Sequence, residues 1–300
     1  TSFNNKVVVI TVSGNVTTAF QPTTQNFLDG GANSSASGTY TPGSFVRPVK
    51  TKMYSLSDSL LHFSSVNDPT DWNTGSTGAG FINLQNNARG SEDLKAIANY
   101  FSNVAVLAEQ AIQIWFVDAD ETRNQQIQVL NNTGTIAPDS VIEFGDNDVF
   151  YLSKSGIRSL RARDSSNAAF VGDIGNPIDD LVVAEITANI ISARNSTAIH
   201  EPKDGRYLLA IGSKVYVFSY FPSSKVSAWS IYEPGFSIDK WAFDGTQILC
   251  RSGNQLFSLG GSNGTTYDNS TVTVQMPFLD AGRPASFKDF TSLDMTCENT

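Results

Sequence analysis

Cysteine and histidine are almost missing from this chain: Cys250, Cys297, His62 and His200 are the whole supply in 300 residues. Two cysteines cannot staple a fold of this size, and they say little about redox compartment. Neither histidine stands in a His-Glu-x-x-His spacing, and no Gly-x-Ser-x-Gly elbow occurs. Both are expected to be structural or solvated, His62 within a strand and His200 in a loop before Glu201 and Pro202. No apolar run approaches the roughly 20 residues that a membrane helix needs. The amino end lacks the pattern of a secretory signal, and it opens on Thr1, which implies processing, truncation or a leader. Charge is also scarce, at 16% of residues, with 20 basic against 29 acidic side chains and a net charge of -9. That balance argues against a surface that grips phosphates, whereas an acidic wall lets a polyanion slide past without adhering.

What the chain has in quantity is the β-hairpin. Five apolar pairs of runs, at Lys52–Phe63, Val104–Phe116, Val149–Leu160, Tyr207–Phe218 and Ile248–Leu259, each read as strand, turn, strand. Gly156, Gly212 and Gly253 stand at turns that call for a positive φ. The starts are 52, 45, 58 and 41 residues apart, bracketing the roughly 40–50-residue period of a four-stranded propeller blade. One hairpin gives half a blade, so the outer strands are expected from the weaker segments between. A lone hairpin cannot bury both faces, so the copies need one another. With 40% hydrophobic residues, one all-β domain spanning 1–300 is expected: a β-propeller of about six blades.

The remaining segments fit around these hairpins. Lys6–Val12 reads as a strand with Gly14 as its turn, and 21–50 as an irregular, loop-rich insertion, densest in Gly, Asn, Ser and Thr from Gln21 to Gly43. Leu94, Ile97, Ala98 and Phe101 have helical spacing behind Ser91, which predicts a short helical turn. One longer accessory helix is predicted over 178–194, after Pro177, with Asp179 and Asp180 at its start and Arg194 at its end. Thr271–Phe278 and Phe290–Thr296 read as strands, and pairing of 6–12 with 290–296 is expected to close the ring.

The motifs with chemical content are few. Asp118, Asp120 and Glu121 form an acidic cluster in which a hard cation and a solvated hairpin loop compete; the lack of a following Gly and the nearby Arg123 favour the loop. Gly75–Gly80 lacks the Lys-Ser/Thr close and the helix of a phosphate loop. Acidic residues are plentiful, but the Ser-x-Asp-x-Gly-x-Thr-Trp box of sialidase propellers is missing; Ser237–Trp241 is the nearest string. Asn-x-Ser/Thr triplets, as at Asn15, Asn33, Asn195 and Asn269, arise by chance in a chain this rich in Asn, Ser and Thr. No catalytic residue, cofactor or metal is expected. Asp68-Pro69-Thr70-Asp71-Trp72 has a plain physical account: Pro69 fixes φ in a turn, Asp68 or Asp71 caps amides, and Trp72 buries its ring. A subunit contact is the competing role for Asp68, Pro69, Asp71 and Trp72.

The linear order of several short strings is similar to the tail nozzle family of short-tailed bacteriophages, also called tail tubular protein B. The strings are Leu61–Trp72, Gly78–Leu84, Ile112–Trp115, Asp148–Leu160, Asn176–Asp179, His200–Tyr207 and Leu279–Gly282 near Lys288, across about residues 52–296. The resemblance implies a non-enzymatic virion component: a propeller-like body forming a ring, commonly of about six copies, below the tail adaptor. Its channel carries DNA out, without specific binding, and its outer face holds fibres or spikes. It also implies assembly in the host cytoplasm. Nozzle proteins are longer and carry further β domains, so a reduced nozzle, a related adaptor or fibre-attachment propeller, or one piece of a longer chain is expected. The competing reading is a receptor-facing propeller that binds or trims host glycan, which needs an aromatic platform with convergent polar groups.

Overall fold

The computed structural model describes residues 10–13, 16–19, 45–57, 59–72, 78–85, 93–145, 148–165, 173–203, 205–221 and 226–260. These residues are mostly β, arranged as several small antiparallel sheets. A hairpin of β1 (Ile10–Ser13) and β2 (Val16–Ala19) comes first. Five meanders follow in chain order, each with its strands side by side as they occur in the sequence. Sheet one is β3 (Phe45–Val49), β4 (Lys52–Ser57), β5 (Leu60–Phe63) and β6 (Gly80–Asn83). Sheet two is β7 (Ala96–Tyr100), β8 (Asn103–Leu107), β9 (Ala111–Phe116) and β10 (Gln125–Asn131). Sheet three is β11 (Ile142–Glu143), β12 (Val149–Ser153) and β13 (Gly156–Ser159). Sheet four is β14 (Thr197–Glu201), β15 (Arg206–Ile211), β16 (Lys214–Phe221) and β17 (Val226–Tyr232). Sheet five is β18 (Lys240–Phe243), β19 (Ile248–Ser252) and β20 (Gln255–Ser258).

Each of the five predicted hairpins is the second and third strand of a sheet; the weaker segments supply the first strand of every sheet and a fourth in sheets one, two and four. The reason lies in the period of 2. Along β8, Val104 and Val106 face a cluster shared with sheet one, while Ala105 and Leu107 face one shared with sheet three. Along β12, Val149 and Tyr151 turn toward sheet two, and Phe150 and Leu152 toward sheet four. Along β15, Tyr207, Leu209 and Ile211 meet sheet three, and Leu208 and Ala210 meet sheet five. Both faces of these three hairpins are therefore buried, which is why their sequences are continuous apolar runs. The first strands also sit beside one another in chain order: β3 by β7, β7 by β11, β11 by β14, β14 by β18.

Polar staples join neighbouring sheets. Lys50 Nζ donates to Val117 O at 2.6 Å, the Asn99 amide to Glu143 Oε1 at 2.7 Å, and Tyr207 Oη to Ser140 O at 3.1 Å. The indole N–H of Trp241 reaches Thr197 O at 3.2 Å. Burial pushes the Tyr207 phenol well above its ordinary range, so it stays neutral as a donor.

Four sequence expectations need correction. Residues 96–100 are strand β7 and not a helical turn, because Ala96, Ile97, Ala98 and Tyr100 are all buried between two clusters and alternation serves both. Within 21–50, Phe45–Val49 is strand β3 rather than loop, paired with β4 from Phe45↔Leu56 to Val49↔Lys52. His200 lies in β14 opposite Tyr207, with its ring edge-on to Phe144 at 4.9 Å, and not in a loop. The helix over 178–194 is broken: a 3-10 turn at Asn176–Ile178, then α2 (Asp179–Ala188) and α3 (Ile190–Arg194). Asn189 breaks it, since at φ -150° its side chain accepts from the Ser192 amide at 3.0 Å and caps α3. The rest of the loop-rich segment, the proposed closing strands 271–278 and 290–296, and Cys297 lie outside the described residues. Cys250 is buried in sheet five.

The helices follow from sheet three. After β13 comes α1 (Leu160–Ser165), and α2 then packs on β13 with Val182 and Ile186 in the core. Arg158 fixes this arrangement from beneath. Its guanidinium donates to Asp179 Oδ1 at 2.8 Å and to Ile157 O at 2.9 Å, to Ser155 O, and faces Asp173 Oδ2 at 3.8 Å. Asp173 in turn accepts from the Ser159 amide at 2.8 Å. Gly156, at φ 120°, has no room for a Cβ: one would stand 2.0 Å from Asp179 Oδ1. The side chains of Arg158 and Asp173 are 6% and 4% exposed, so removing the cation strands buried carboxylate charge. Arg158→Ala is expected to cost about 3–5 kcal/mol, read as a lowered urea midpoint, and Arg158→Lys to recover only part of it because the planar fork is lost.

Candidate functional site: the β5–β6 connection and its groove

The string Asp68–Trp72 lies in the connection that leaves β5. Asn67 sits at φ 58° and its amide donates to Thr51 O at 2.8 Å, bringing the loop back over the β3–β4 turn. The Asp68 carboxylate accepts from the Thr70 amide at 2.9 Å and the Thr70 hydroxyl at 2.6 Å. Those bonds, the hydroxyl one foremost, hold its carboxyl below the usual range. Pro69 O accepts the Trp72 indole N–H at 2.8 Å, and the Ser65 amide donates to Asp71 O at 2.8 Å. Trp72 is 6% exposed. All four residues thus meet in one self-bonded turn, with the Trp72 ring folded inward.

Downstream, Gly78–Asn83 runs along a groove of about 370 Å³. Phe63, Gly80, Phe81 and Trp115 line it with Glu121 and Asn124 from the β9–β10 loop. Gly80 leaves the space open, because a Cβ there would stand 2.9 Å from the Phe63 ring and 3.2 Å from the Glu121 carboxylate. Lys52 lies behind it, 4% exposed, its Nζ donating to Gly78 O at 2.7 Å and 4.6 Å from the Phe63 ring centroid. Burial lowers the pKa of this ammonium, against the pull of Glu121, Asp118 and Asp120. Trp115 is oriented by Gln113, whose Oε1 accepts from the indole at 3.1 Å and from Gln126 Nε2 at 3.1 Å.

The acidic cluster has a local task. Asp120 caps the 3-10 turn at Glu121–Arg123, accepting from the Thr122 amide at 3.0 Å and its hydroxyl at 2.7 Å, which holds its carboxyl down. The Asp118 amide donates to Asn124 Oδ1 at 3.0 Å, and Asn124 lines the groove. Among the described residues no group of three His, Cys, Asp or Glu is arranged to hold a metal ion. The groove therefore offers an exposed ring, Phe81 at 55%, beside a carboxylate and an amide: a surface for a neutral, hydroxyl-bearing ligand with one apolar face. Gly80 and Phe81 fall in the strings Gly75–Gly80 and Gly78–Leu84 and Lys52 opens the first hairpin, but the sequence marks none of the three as a site residue.

No family model matches the chain, and no curated protein matches it. Among solved structures it is similar to the extracellular domain of a one-component system of B. thetaiotaomicron, with 13% identity and a TM-score of 0.43, covering 77% of this chain and 28% of that one. It is also similar to PorZ, a surface component of the type-IX secretion system of Porphyromonas gingivalis, with 11% identity and a TM-score of 0.44, covering 75% and 27%. The chain spans under a third of the length of either structure.

Two outcomes follow from this geometry. Trp72→Ala is expected to cost about 3–5 kcal/mol, and Trp72→Phe about 1–2 kcal/mol for the unpaired Pro69 carbonyl, both by urea unfolding; a subunit contact would instead show as a change of assembled mass. Burial lowers the pKa of His62, beside Phe81 at 5.9 Å, and of His200. The unfolded chain then binds protons at its ordinary pKa of about 6.5 while the folded one does not, so stability is full above that pH and falls as pH drops below it. The double variant His62→Gln, His200→Gln is expected to flatten the stability profile between about pH 7 and 5.5.

Proposed function

We propose that this chain is a non-catalytic structural subunit of a short-tailed phage tail, of the nozzle kind. In this reading the five meander sheets are blades of a β-propeller of about six blades, and copies of the chain form a ring of about six around a DNA exit path. The observation that carries the propeller is the order of contacts: each sheet packs on the next in sequence, and first strand lies beside first strand from β3 to β18. That is the contact pattern of blades around an axis. The nozzle assignment rests on the order of the short strings between residues 52 and 296. A net charge of -9 suits a wall past which DNA moves. Adaptor and fibre proteins would be its neighbours in the virion tail.

A second reading, glycan binding on a receptor-facing propeller, is favoured by the groove in which Phe81 stands beside Glu121 and Asn124. The two separate cleanly. Native mass spectrometry of the purified chain is expected to give a ring of about six copies, with no glycan retained and no reducing sugar released from cell-wall material. A monomer that binds β-linked N-acetylglucosamine oligomers, and loses them with Phe81→Ala, overturns the tail assignment and installs the second reading.

A further inference from the structure

Single exposed apolar side chains are ordinary on a protein surface, but a stripe of them at helical spacing calls for a partner. α2 carries apolar residues on two sides. Val182 and Ile186 face the core over β13. On the other side Leu181, Ala184 and Ala188 follow one another at i, i+3 and i+7 and are all exposed, Leu181 at 55%. α3 extends the exposed apolar surface with Ile190 at 40% and Ile191 at 72%, the most exposed large apolar side chain among the described residues. The two ends of this face differ in charge. Asp180 opens it, exposed and in no ion pair among the described residues. At the far end Arg194 and Lys154 share one carboxylate, Glu109, at 3.7 and 2.6 Å, which leaves a positive charge over. Between them Glu185 and Lys214 cancel at 2.7 Å.

We propose that this face packs antiparallel on the same face of a second copy, α2 against α2 about a two-fold axis. Counted from its two ends, such pairing sets Asp180 of each copy by Arg194 of the other, Leu181 by Ile191, and Ala184 by Ala188. Opposite charges meet at the rims and large apolar side chains meet inside them. Methyl groups meet at the crossing, where small side chains let two helices approach closely. Parallel pairing would instead set Asp180 by Asp180 and Arg194 by Arg194. That self-complementary order selects the occupant. A partner of one charge sign would satisfy one end of the face and be repelled at the other. The contact also suits two copies that each carry a net charge of -9, because here Asp180, Glu185 and Glu109 are balanced by Lys214, Lys154 and Arg194. The stripe is short, so the pairing is weak and depends on concentration.

This contact goes beyond the ring, and the experiment separates the two. The full chain is followed by analytical ultracentrifugation and native mass spectrometry through a concentration series, alongside Ile191→Ser, Asp180→Lys, Arg194→Asp and a mixture of the last two. The wild-type mass is expected to double as concentration rises, from one copy to two or from one ring to two. Each single variant is expected to weaken that doubling about tenfold or more. Mixing Asp180→Lys with Arg194→Asp is expected to restore it, because only the unlike chains then bring opposite charges together at both ends. All three positions are exposed, so the urea midpoints are expected to hold. Leu181→Ser repeats the apolar test should one of the variants fail to fold. A mass that does not rise with concentration, or rises alike in every variant, overturns the helix contact and leaves a ring of six, if observed, intact. A mixture that pairs no better than its parts overturns the antiparallel register. Doubling of a monomer that Ile191→Ser abolishes supports the contact and counts against the ring.

Discussion

The constraint on which everything else depends is that the central hairpins of sheets two, three and four are buried on both faces by their neighbours in the chain. Val104 and Ala105 are adjacent in sequence and belong to different clusters, as are Val149 and Phe150, and Leu208 and Leu209. A sheet pulled from this series would expose one full apolar face on each side. At roughly 25 cal/mol per Å² of apolar surface, no hairpin could stand that loss alone. Stability is therefore shared along the series, as in repeat proteins, with sheets two, three and four each held by the two next to them.

Burial on both faces leaves the polar work to the rims. Backbone groups pair within the meanders, but the connections between sheets carry carbonyls that have no ladder to join. Side chains from an adjacent sheet meet such carbonyls, Tyr207 at Ser140 and Trp229 at Ile174, while Lys50 reaches Val117 in the β9–β10 loop and Trp241 reaches Thr197 at the start of β14. Sheet three is the departure from this scheme. Among the described residues it has three strands, and α1, α2 and the turn at Asn176–Ile178 lie against β13. Arg158, Asp173 and Asp179 hold this helical cover with buried charge, which specifies one docking geometry where an apolar contact alone would tolerate several.

Sequence periodicity made the five hairpins legible because two-faced burial writes long runs of Val, Ile, Leu, Tyr and Phe. It misread what lay between them for equally physical reasons. Alanine at 96 and 98 has little strand preference, and the spacing of Leu94, Ile97, Ala98 and Phe101 matches a helix as well as a strand; burial between two clusters decides it. Asn189 looks tolerable inside a helical pattern until its side chain finds the Ser192 amide. Phe45–Val49 contains Pro48, which demotes a strand reading, yet a first strand accepts it. The turn at Asp68–Trp72 was legible because Asp, Pro and Thr act locally. The groove was not, since Gly80, Phe81, Trp115 and Glu121 come from separate elements and only packing brings them together.

The same packing bears on what a surface of this composition can do to a polyanion. A positive residue attracts phosphate only while its charge is not already matched, and most described cations are matched within the chain. Lys214 meets Glu185 at 2.7 Å, Lys154 meets Glu109 at 2.6 Å, and Arg206 and Lys240 pair with Glu201 and Asp139. Lys50 and Lys52 spend their ammonium groups on backbone carbonyls and aromatic rings. Among the described residues the charges left without an ion-pair partner are thus mostly carboxylates, which disfavours a phosphate contact on that part of the surface. Counterion release, the main source of non-specific nucleic-acid affinity, has little to act through on such a surface.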